Sequence, residues 1–272
     1  MRPRTLEEYR RLHKNHISGS IGGAELGDLT PEMLQMMINC TAKEAGDRSA
    51  SAVYTLVRAV LRRAVRSRLI SWSPLDALDA PRVHSAPGEA MTEDDYQAAL
   101  PWITDDLGLS LALFAGLRRA EIAGLTWDQI DLRGNQIHVK QTRQRVAGKI
   151  LIGPTKSDAG CRDIPISSDL RAVIQDNYCI SPRAWVLPYA PEYLSRHWVE
   201  VQNHLRLSRR YRLHDLRHTY ITRLILAGVV PRVVQYLAGH AAISTTMRVY
   251  THVSAEDARR ELQKLPSYTA AV

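Results

Sequence analysis

The sequence predicts a mainly α-helical protein with a small antiparallel β-sheet, an α+β fold. Most of the chain before residue 127 and after residue 170 places apolar residues at helical spacing, which is typical of amphipathic helices. Between residues 127 and 166 the apolar and polar residues alternate in short runs, which is typical of strands. A length of 272 residues is enough for two ordinary domains.

The first region, up to about residue 79, is predicted to be helical. Residues 29–32 open a second helix with Pro31 at its first position, where proline is favoured. A third helix is expected over residues 49–69, with its apolar side chains on one face. Five arginines crowd this helix, and their face either binds phosphates or is an ordinary solvated surface. They are Arg58, Arg62, Arg63, Arg66 and Arg68.

Prolines and serines between residues 71 and 88 mark a break in the helical pattern. We therefore predict a helical domain over residues 1–82, a linker over residues 83–90 and a second domain over residues 91–272. Residues 91–95 cap a new helix, and an apolar helix follows over residues 107–115.

Three alternating runs predict the small antiparallel sheet. They lie at residues 129–132, 136–140 and 162–166 and are separated by turn-forming residues. Lys156 is expected near a loop tip of this region. From about residue 170 the pattern is helical again, and Gly239 is expected to end a helix over residues 231–238.

The charge balance favours a polyanionic partner. Lysine and arginine number 36 against 28 aspartates and glutamates, a formal net charge of +8. A basic but otherwise ordinary enzyme is the alternative, and the clustering of arginines on one helix and just before His214 favours the polyanion. The three cysteines have no metal-like spacing and indicate a reducing compartment. No apolar run is long enough to span a bilayer, so a cytoplasmic location is expected.

The candidate catalytic side chains cluster in residues 214–218 (HDLRH) and at two later positions, His240 and Tyr250. His214 and Arg217 stand three residues apart, so a helix projects both from one face, and we expect them at its rim. A guanidinium suits phosphate oxygens, an imidazole titrates near neutral pH, and a phenol needs neighbouring cations before it attacks.

His214 and His218, at i and i+4, could also be two metal ligands on one helix. However, Asp215 stands where a zinc protease needs glutamate, and no suitable third ligand follows.

These pieces resemble the tyrosine recombinases, the phage integrase family. Each matching motif is short, and their order and spacing are specific. The motifs are residues 116–122 (GLRRAEI), 155–157 (TKS), 214–218 (HDLRH), 237–240 (LAGH) and 250–252 (YTH). The resemblance implies that the first domain is a core-binding domain and the second a catalytic domain, which together grip double-stranded DNA.

The resemblance also implies a role for each site residue. Arg118 and Arg217 would clamp the phosphate, Lys156 would protonate the leaving 5′ oxygen, and Tyr250 would be the nucleophile. His214 would either accept a proton or donate a hydrogen bond to the phosphate. His240 would donate a hydrogen bond to a phosphate oxygen. Glu121 would orient Arg118, and Asp215 would cap its helix. Further DNA contacts are expected from Arg58, Arg62, Arg63, Arg66, Arg209 and Arg210.

The activity implied is site-specific recombination through a 3′-phosphotyrosyl intermediate, without metal, ATP or another cofactor. Strand exchange would pass through a Holliday junction in a homo-tetramer on paired DNA sites, and the free protein would be a monomer or dimer in a bacterial or phage-host cell. Two alternatives stay open: a catalytically idle DNA-binding regulator, and a stand-alone type IB topoisomerase. For single residues the alternatives are a structural Arg118–Glu121 pair and a packed tyrosine at position 250.

Overall fold

The structure is a computed structural model that describes residues 3–83, 88–155, 157–178 and 184–247. Two predicted catalytic residues, Lys156 and Tyr250, lie outside these ranges. The chain divides into two compact units, Met1–Pro87 and Gly88–Val272. The division falls inside the predicted linker.

The N-terminal unit, Met1–Pro87, is helical as predicted. Its helices are α1 (Pro3–Leu12), which continues through a π-helical stretch (His13–Ile17) into α2 (Ser18–Ile21), then α3 (Pro31–Ala45) and α4 (Asp47–Arg66). Thr30 caps α3, because its hydroxyl accepts from the Met33 amide at 3.3 Å. The core is formed by apolar side chains of α1, α3 and α4, with Leu34 and Val53 fully buried.

Helix α4 buries one side and exposes the other. Its buried residues recur at helical spacing, among them Val53, Val57 and Leu61. Of the predicted DNA-binding arginines on this helix, Arg58 is half-buried, and the other three are exposed. The three exposed side chains are Arg62, Arg63 and Arg66.

The C-terminal unit, Gly88–Val272, holds further helices around a central apolar one. These helices are α5 (Glu93–Thr104), α6 (Leu107–Phe114), α7 (Arg119–Ala123), α8 (Ser168–Asp176), α9 (Tyr193–His204), α10 (Leu213–Leu226), α11 (Pro231–Ala238) and α12 (Ile243–Met247). Helix α6 is buried along nearly its whole length and packs against α5, α8, α9 and α10. A helix that is apolar on all sides belongs in such a central position.

The predicted antiparallel sheet is confirmed. It consists of β1 (Ile130–Asp131), β2 (Gln136–Val139) and β5 (Arg162–Pro165) in the order β1-β2-β5. Ile137 pairs with Ile164, and both side chains are fully buried. The strands are one or two residues shorter at their ends than the alternating runs.

A second, two-stranded sheet was not predicted. It is a hairpin of β3 (Gln141–Val146) and β4 (Lys149–Pro154). Its turn residues, Ala147 and Gly148, have φ of 48° and 77°. This two-residue turn with positive φ matches the twist of the flanking strands.

None of the helices in the described ranges combines the length and the apolar character needed to cross a membrane.

Candidate active site

The candidate site is built around the C-terminal end of α11. Helix ends leave backbone carbonyls without intrahelical partners, and the negative end of the helix dipole favours cations there. Here the carbonyls of residues 237–239 each accept a hydrogen bond from a different arginine. Arg162 Nε donates to the first at 2.9 Å, Arg217 donates to the second, and Arg118 Nη2 donates to the third at 2.8 Å. Three cations therefore converge on one helix end.

The helix ends there because Gly239 adopts a left-handed conformation, with φ of 60°. A Cβ at this position would also lie 2.7 Å from Arg162 Nη1 and 2.9 Å from the Ala159 carbonyl oxygen. Glycine is thus required both by the backbone and by the close approach of the arginine. His240 follows immediately, so the turn fixes where its imidazole emerges.

Arg118 precedes α7 and is the accessible arginine of the three. Its side chain is 37% exposed, and its Nη1 pairs with Glu121 Oε1 at 2.7 Å. The backbone amide of Arg118 donates to the other carboxylate oxygen at 3.0 Å. Glu121 therefore fixes both the backbone and the guanidinium of Arg118, while part of the Arg118 side chain stays exposed.

Arg217 is buried, which differs from the expectation that it stands at the rim of its helix. Its side chain is 1% exposed and donates to the Gly116 and Ala238 carbonyls. Burial, followed by the nearby charge of Arg118, lowers the pKa of Arg217 to about 9. Helix α10 is covered by α6, α9 and α11, and this encloses Arg217, while His214 at its N-terminal end and Arg223 and Leu226 near its C-terminal end are exposed.

Glu121 is a buried carboxylate shared by two arginines. It is 3% exposed and contacts Arg162 Nη2 at 3.2 Å as well as Arg118. Burial raises the pKa of Glu121, but the charges of Arg162 and Arg118 more than offset burial and hold the pKa below its usual value. The carboxylate is therefore ionised at neutral pH.

Two of the predicted site histidines, His214 and His240, are neutral at pH 7. Desolvation by the surrounding protein lowers the pKa of each to about 4, together with the charges of His218, Arg217 and Arg118 for His214 and those of Arg217 and Arg118 for His240. His240 Nδ1 lies 2.9 Å from Thr246 Oγ1, and the His214 ring meets that of His218 edge to face, with 4.9 Å between centroids. A neutral imidazole is able to accept a proton.

Asp215 stabilises the start of α10. Its Oδ2 accepts from the Arg212 backbone amide at 2.7 Å, and the Arg212 guanidinium contacts both carboxylate oxygens. This is one half of a capping box: the Asp215 carboxylate accepts from the N-cap amide, while the Asp215 amide donates to the Arg212 backbone carbonyl at 2.9 Å, since an arginine side chain has no acceptor. The carboxylate thereby fixes the turn from which His214 projects.

The loop before α10 is held by Asp95, a residue that the sequence analysis did not select. Its buried carboxylate accepts from the Ser208 amide at 2.8 Å and from Tyr211 Oη at 2.7 Å. The two predicted DNA-binding arginines of this loop are exposed. Arg209 pairs with Glu89 and lies over the Tyr211 ring, 4.7 Å from its centroid, while Arg210 extends from the same loop.

Arg162 belongs to the arginine cluster at the end of α11 and was not predicted from the sequence as a site residue. It is 4% exposed and bonds Glu121, the end of α11 and the Gly160 carbonyl. A signal was available, because Arg162 is two residues before Ile164 on the same strand and therefore shares its buried face. A charged residue at such a position requires buried partners.

The structure thus brings four predicted residues together within one unit: Arg118, Glu121, Arg217 and His240. His214 faces the same charges from the surface end of α10. Lys156 and Tyr250 lie outside the described residues, and the arginines of α4 belong to the other unit.

Residues 90–257, more than half of the chain, match the model of the phage integrase family. The chain belongs to this family.

Named relatives extend the similarity to the rest of the chain. A putative prophage phiRv2 integrase of Mycobacterium tuberculosis is 27% identical over 99% of this chain and 75% of its own length. The tyrosine recombinase XerD of Pseudomonas aeruginosa is 29% identical over 80% of this chain and 74% of its own length.

Solved structures share the fold. The Tn1549 transposon integrase in complex with transposon right end DNA superposes with a TM-score of 0.81 at 20% identity, covering 98% of this chain and 95% of that chain. A lambda integrase dimer bound to a COC′ core site gives a TM-score of 0.67 at 21% identity, covering 90% of each chain. The predicted mainly helical fold with a small antiparallel sheet is confirmed.

Proposed function

We propose that the protein is a site-specific DNA recombinase that cuts and rejoins strands through a 3′-phosphotyrosyl intermediate, with Tyr250 as the nucleophile. The observation that carries the proposal is the convergence of Arg118 and Arg217 on the end of α11, beside His240. Membership of the phage integrase family supports DNA recombination as the activity.

The arginine cluster fits the charge that develops during phosphoryl transfer. Arg118 and Arg217 each use two described contacts, and a guanidinium has further N–H donors for the non-bridging oxygens of a phosphodiester. Preorganised donors stabilise the extra negative charge of the pentavalent transition state without reorganising. In other phosphoryl-transfer enzymes a metal ion stabilises this negative charge. We propose that the fixed arginines do so here and that the reaction needs no metal.

We propose that His214 and Lys156 carry the protons of the reaction. Tyr250 Oη attacks the phosphorus, and its proton passes to His214, which is neutral and able to accept it. The bond from phosphorus to the 5′ oxygen breaks, and Lys156 protonates that oxygen, while His240 donates to a non-bridging oxygen. A 5′ hydroxyl of the partner strand then attacks and releases the tyrosine. One phosphoester bond replaces another, so no ATP is consumed.

The proposed partner is double-stranded DNA, and the proposed assembly is a homo-tetramer on paired sites that forms from free monomers or dimers. A lambda integrase structure shows a tetramer bound to a Holliday junction, which supports the same assembly for this chain. The proposed location is the cytoplasm of a bacterial or phage-host cell.

The test is a denaturing gel of the protein after incubation with fragmented DNA from around its own gene, comparing wild type with Tyr250→Phe. A covalent protein–DNA band formed by the wild type alone supports the proposal. Relaxation of supercoiled DNA without strand exchange would instead indicate a topoisomerase. Binding in a gel shift with no covalent band from either protein would indicate a regulator.

A further inference from the structure

We infer that Arg162 is a positioning residue that locks Glu121, the end of α11 and the loop at residues 158–160 into one arrangement, so that Arg118 and His240 meet the same phosphate. The inference rests on the proposed function, since it concerns how that site is held. Arg162 itself is assigned no contact with DNA, because all three nitrogens of its guanidinium already contact acceptors of the protein.

The guanidinium of Arg162 joins three separate parts of the chain. Its Nη2 and Nη1 lie 3.2 and 3.4 Å from the two carboxylate oxygens of Glu121. Its Nε donates to the Leu237 carbonyl at 2.9 Å, and Nη1 also donates to the Gly160 carbonyl at 3.0 Å. These partners are 41, 75 and 2 residues away in sequence, so one side chain links α7, α11 and the loop before β5.

Close packing makes this arrangement rigid. The space beside Gly239 is filled by Arg162 Nη1 and by the Ala159 carbonyl oxygen, which would lie 2.7 and 2.9 Å from an added Cβ. The end of α11 is therefore packed directly against Arg162 and against the loop at residues 158–160. That loop begins two residues after Lys156 in the sequence. A change in the Arg162 side chain alters the spacing between the loop and the turn that carries His240.

Arg162 also keeps the net charge around Arg118 positive. Glu121 carries one negative charge and has two cationic partners, so the trio of Arg118, Arg162 and Glu121 has a net charge of 2 − 1 = +1. Without Arg162 the carboxylate would neutralise Arg118 alone, and the field at the phosphate would weaken. Arg162 thus sets both the position and the effective charge of the exposed arginine.

Lysine is a poor replacement, because its ammonium is a compact charge without the planar fork that reaches several acceptors at once. Arg162→Lys therefore tests the geometry while keeping the charge, and Arg162→Met removes both. Arg143→Met is the matched control. Arg143 is a buried arginine of the same unit that bonds the Leu187 and Tyr189 carbonyls and does not contact Glu121 or α11 in the described structure.

The experiment measures the first-order rate of covalent adduct formation at saturating DNA, the DNA dissociation constant, and amide hydrogen exchange at Gly239 and His240 without DNA. For both Arg162 variants we expect the adduct rate to fall by about 10²-fold, as for a misplaced catalytic group. The dissociation constant should stay within about threefold, since other arginines carry the affinity. Exchange at Gly239 and His240 should be faster in both Arg162 variants and unchanged in Arg143→Met.

The inference is overturned if Arg162→Lys forms adduct at the wild-type rate with unchanged exchange, or if Arg143→Met lowers the adduct rate equally. If Arg162→Met does not fold by circular dichroism, Arg162→Lys and the control decide. Failure of the proposed function is distinguishable, because the wild type would then form no adduct, while hydrogen exchange would still report whether Arg162 holds the end of α11.

Discussion

Arg217 carries its charge inside the protein, where both of its described acceptors are backbone carbonyls. Taking a cation out of water is unfavourable unless it is hydrogen-bonded, and the Gly116 and Ala238 carbonyls supply that compensation. A buried guanidinium held from two sides offers its remaining donors in a fixed direction. This is the property required of a group that stabilises a transition state.

Replacing Arg217 by alanine should abolish cleavage with little effect on DNA affinity. We expect the adduct rate to fall by about 10³-fold because a preorganised donor is removed, and the dissociation constant to change by less than about threefold. Leaving two carbonyls unpaired should also lower the free energy of unfolding by about 2 kcal/mol. Adduct assays, gel shifts and urea unfolding test these points, and cleavage at the wild-type rate would rule out the assignment.

His240 makes the stability of the protein depend on pH. Its pKa falls from 6.5 to about 4 on folding, so between these values the unfolded chain binds more protons than the folded one. Stability therefore rises with pH across this window and is lost as pH falls from 6.5 towards 4. Melting temperatures across this range should fall less steeply for His240→Gln. Parallel curves for the two proteins would show that His240 contributes nothing.

The end of α11 is the most tightly specified turn of the site. Gly239→Ala should lower the free energy of unfolding by more than about 1 kcal/mol and reduce adduct formation, because it combines an unfavourable φ with contacts to Arg162 and Ala159. Gly148→Ala is the matched control. Its φ of 77° is equally unfavourable, but nothing lies within 4 Å of the added Cβ, so it should cost only about 1 kcal/mol and leave cleavage unchanged. Equal effects of the two substitutions on cleavage would contradict this account.

Local patterns in the sequence predicted the helices, the three-stranded sheet and the stop at Gly239, because each depends on neighbouring residues. The β3–β4 hairpin has a local signal only in its two turn residues, Ala147 and Gly148, because its strands, QTRQRV and KILIGP, do not alternate apolar and polar residues, and it was missed. The burial of Arg217 was not predictable in this way. Its carbonyl partners are 101 and 21 residues distant, so only the packing of α10 against its neighbours creates the buried position.

Substitutions of the exposed arginines of α4 would show how much this helix contributes to DNA affinity. Alanine at both Arg62 and Arg66, which are exposed, should weaken DNA binding and reduce the slope of log K against log salt by about 1 for each phosphate that the protein no longer neutralises. Arg11→Ala is the control within the same unit, because Arg11 is exposed but already paired with Glu8 at 2.6 Å. Gel shifts at several salt concentrations give the slopes, and an unchanged slope for the double variant would exclude this face.

Among the residues that the structure describes, the cluster at the end of α11 carries more positive than negative charge. Arg118, Arg162 and Arg217 contribute three positive charges and Glu121 one negative, a balance of 3 − 1 = +2. Small oxyanions should fill this deficit and protect the fold, since any ligand that prefers the folded state raises the melting temperature. Sulfate should therefore stabilise the wild type more than it stabilises Arg118→Gln at the same ionic strength. The same cluster would then bind any small oxyanion in the buffer, so such an anion is expected to compete with DNA.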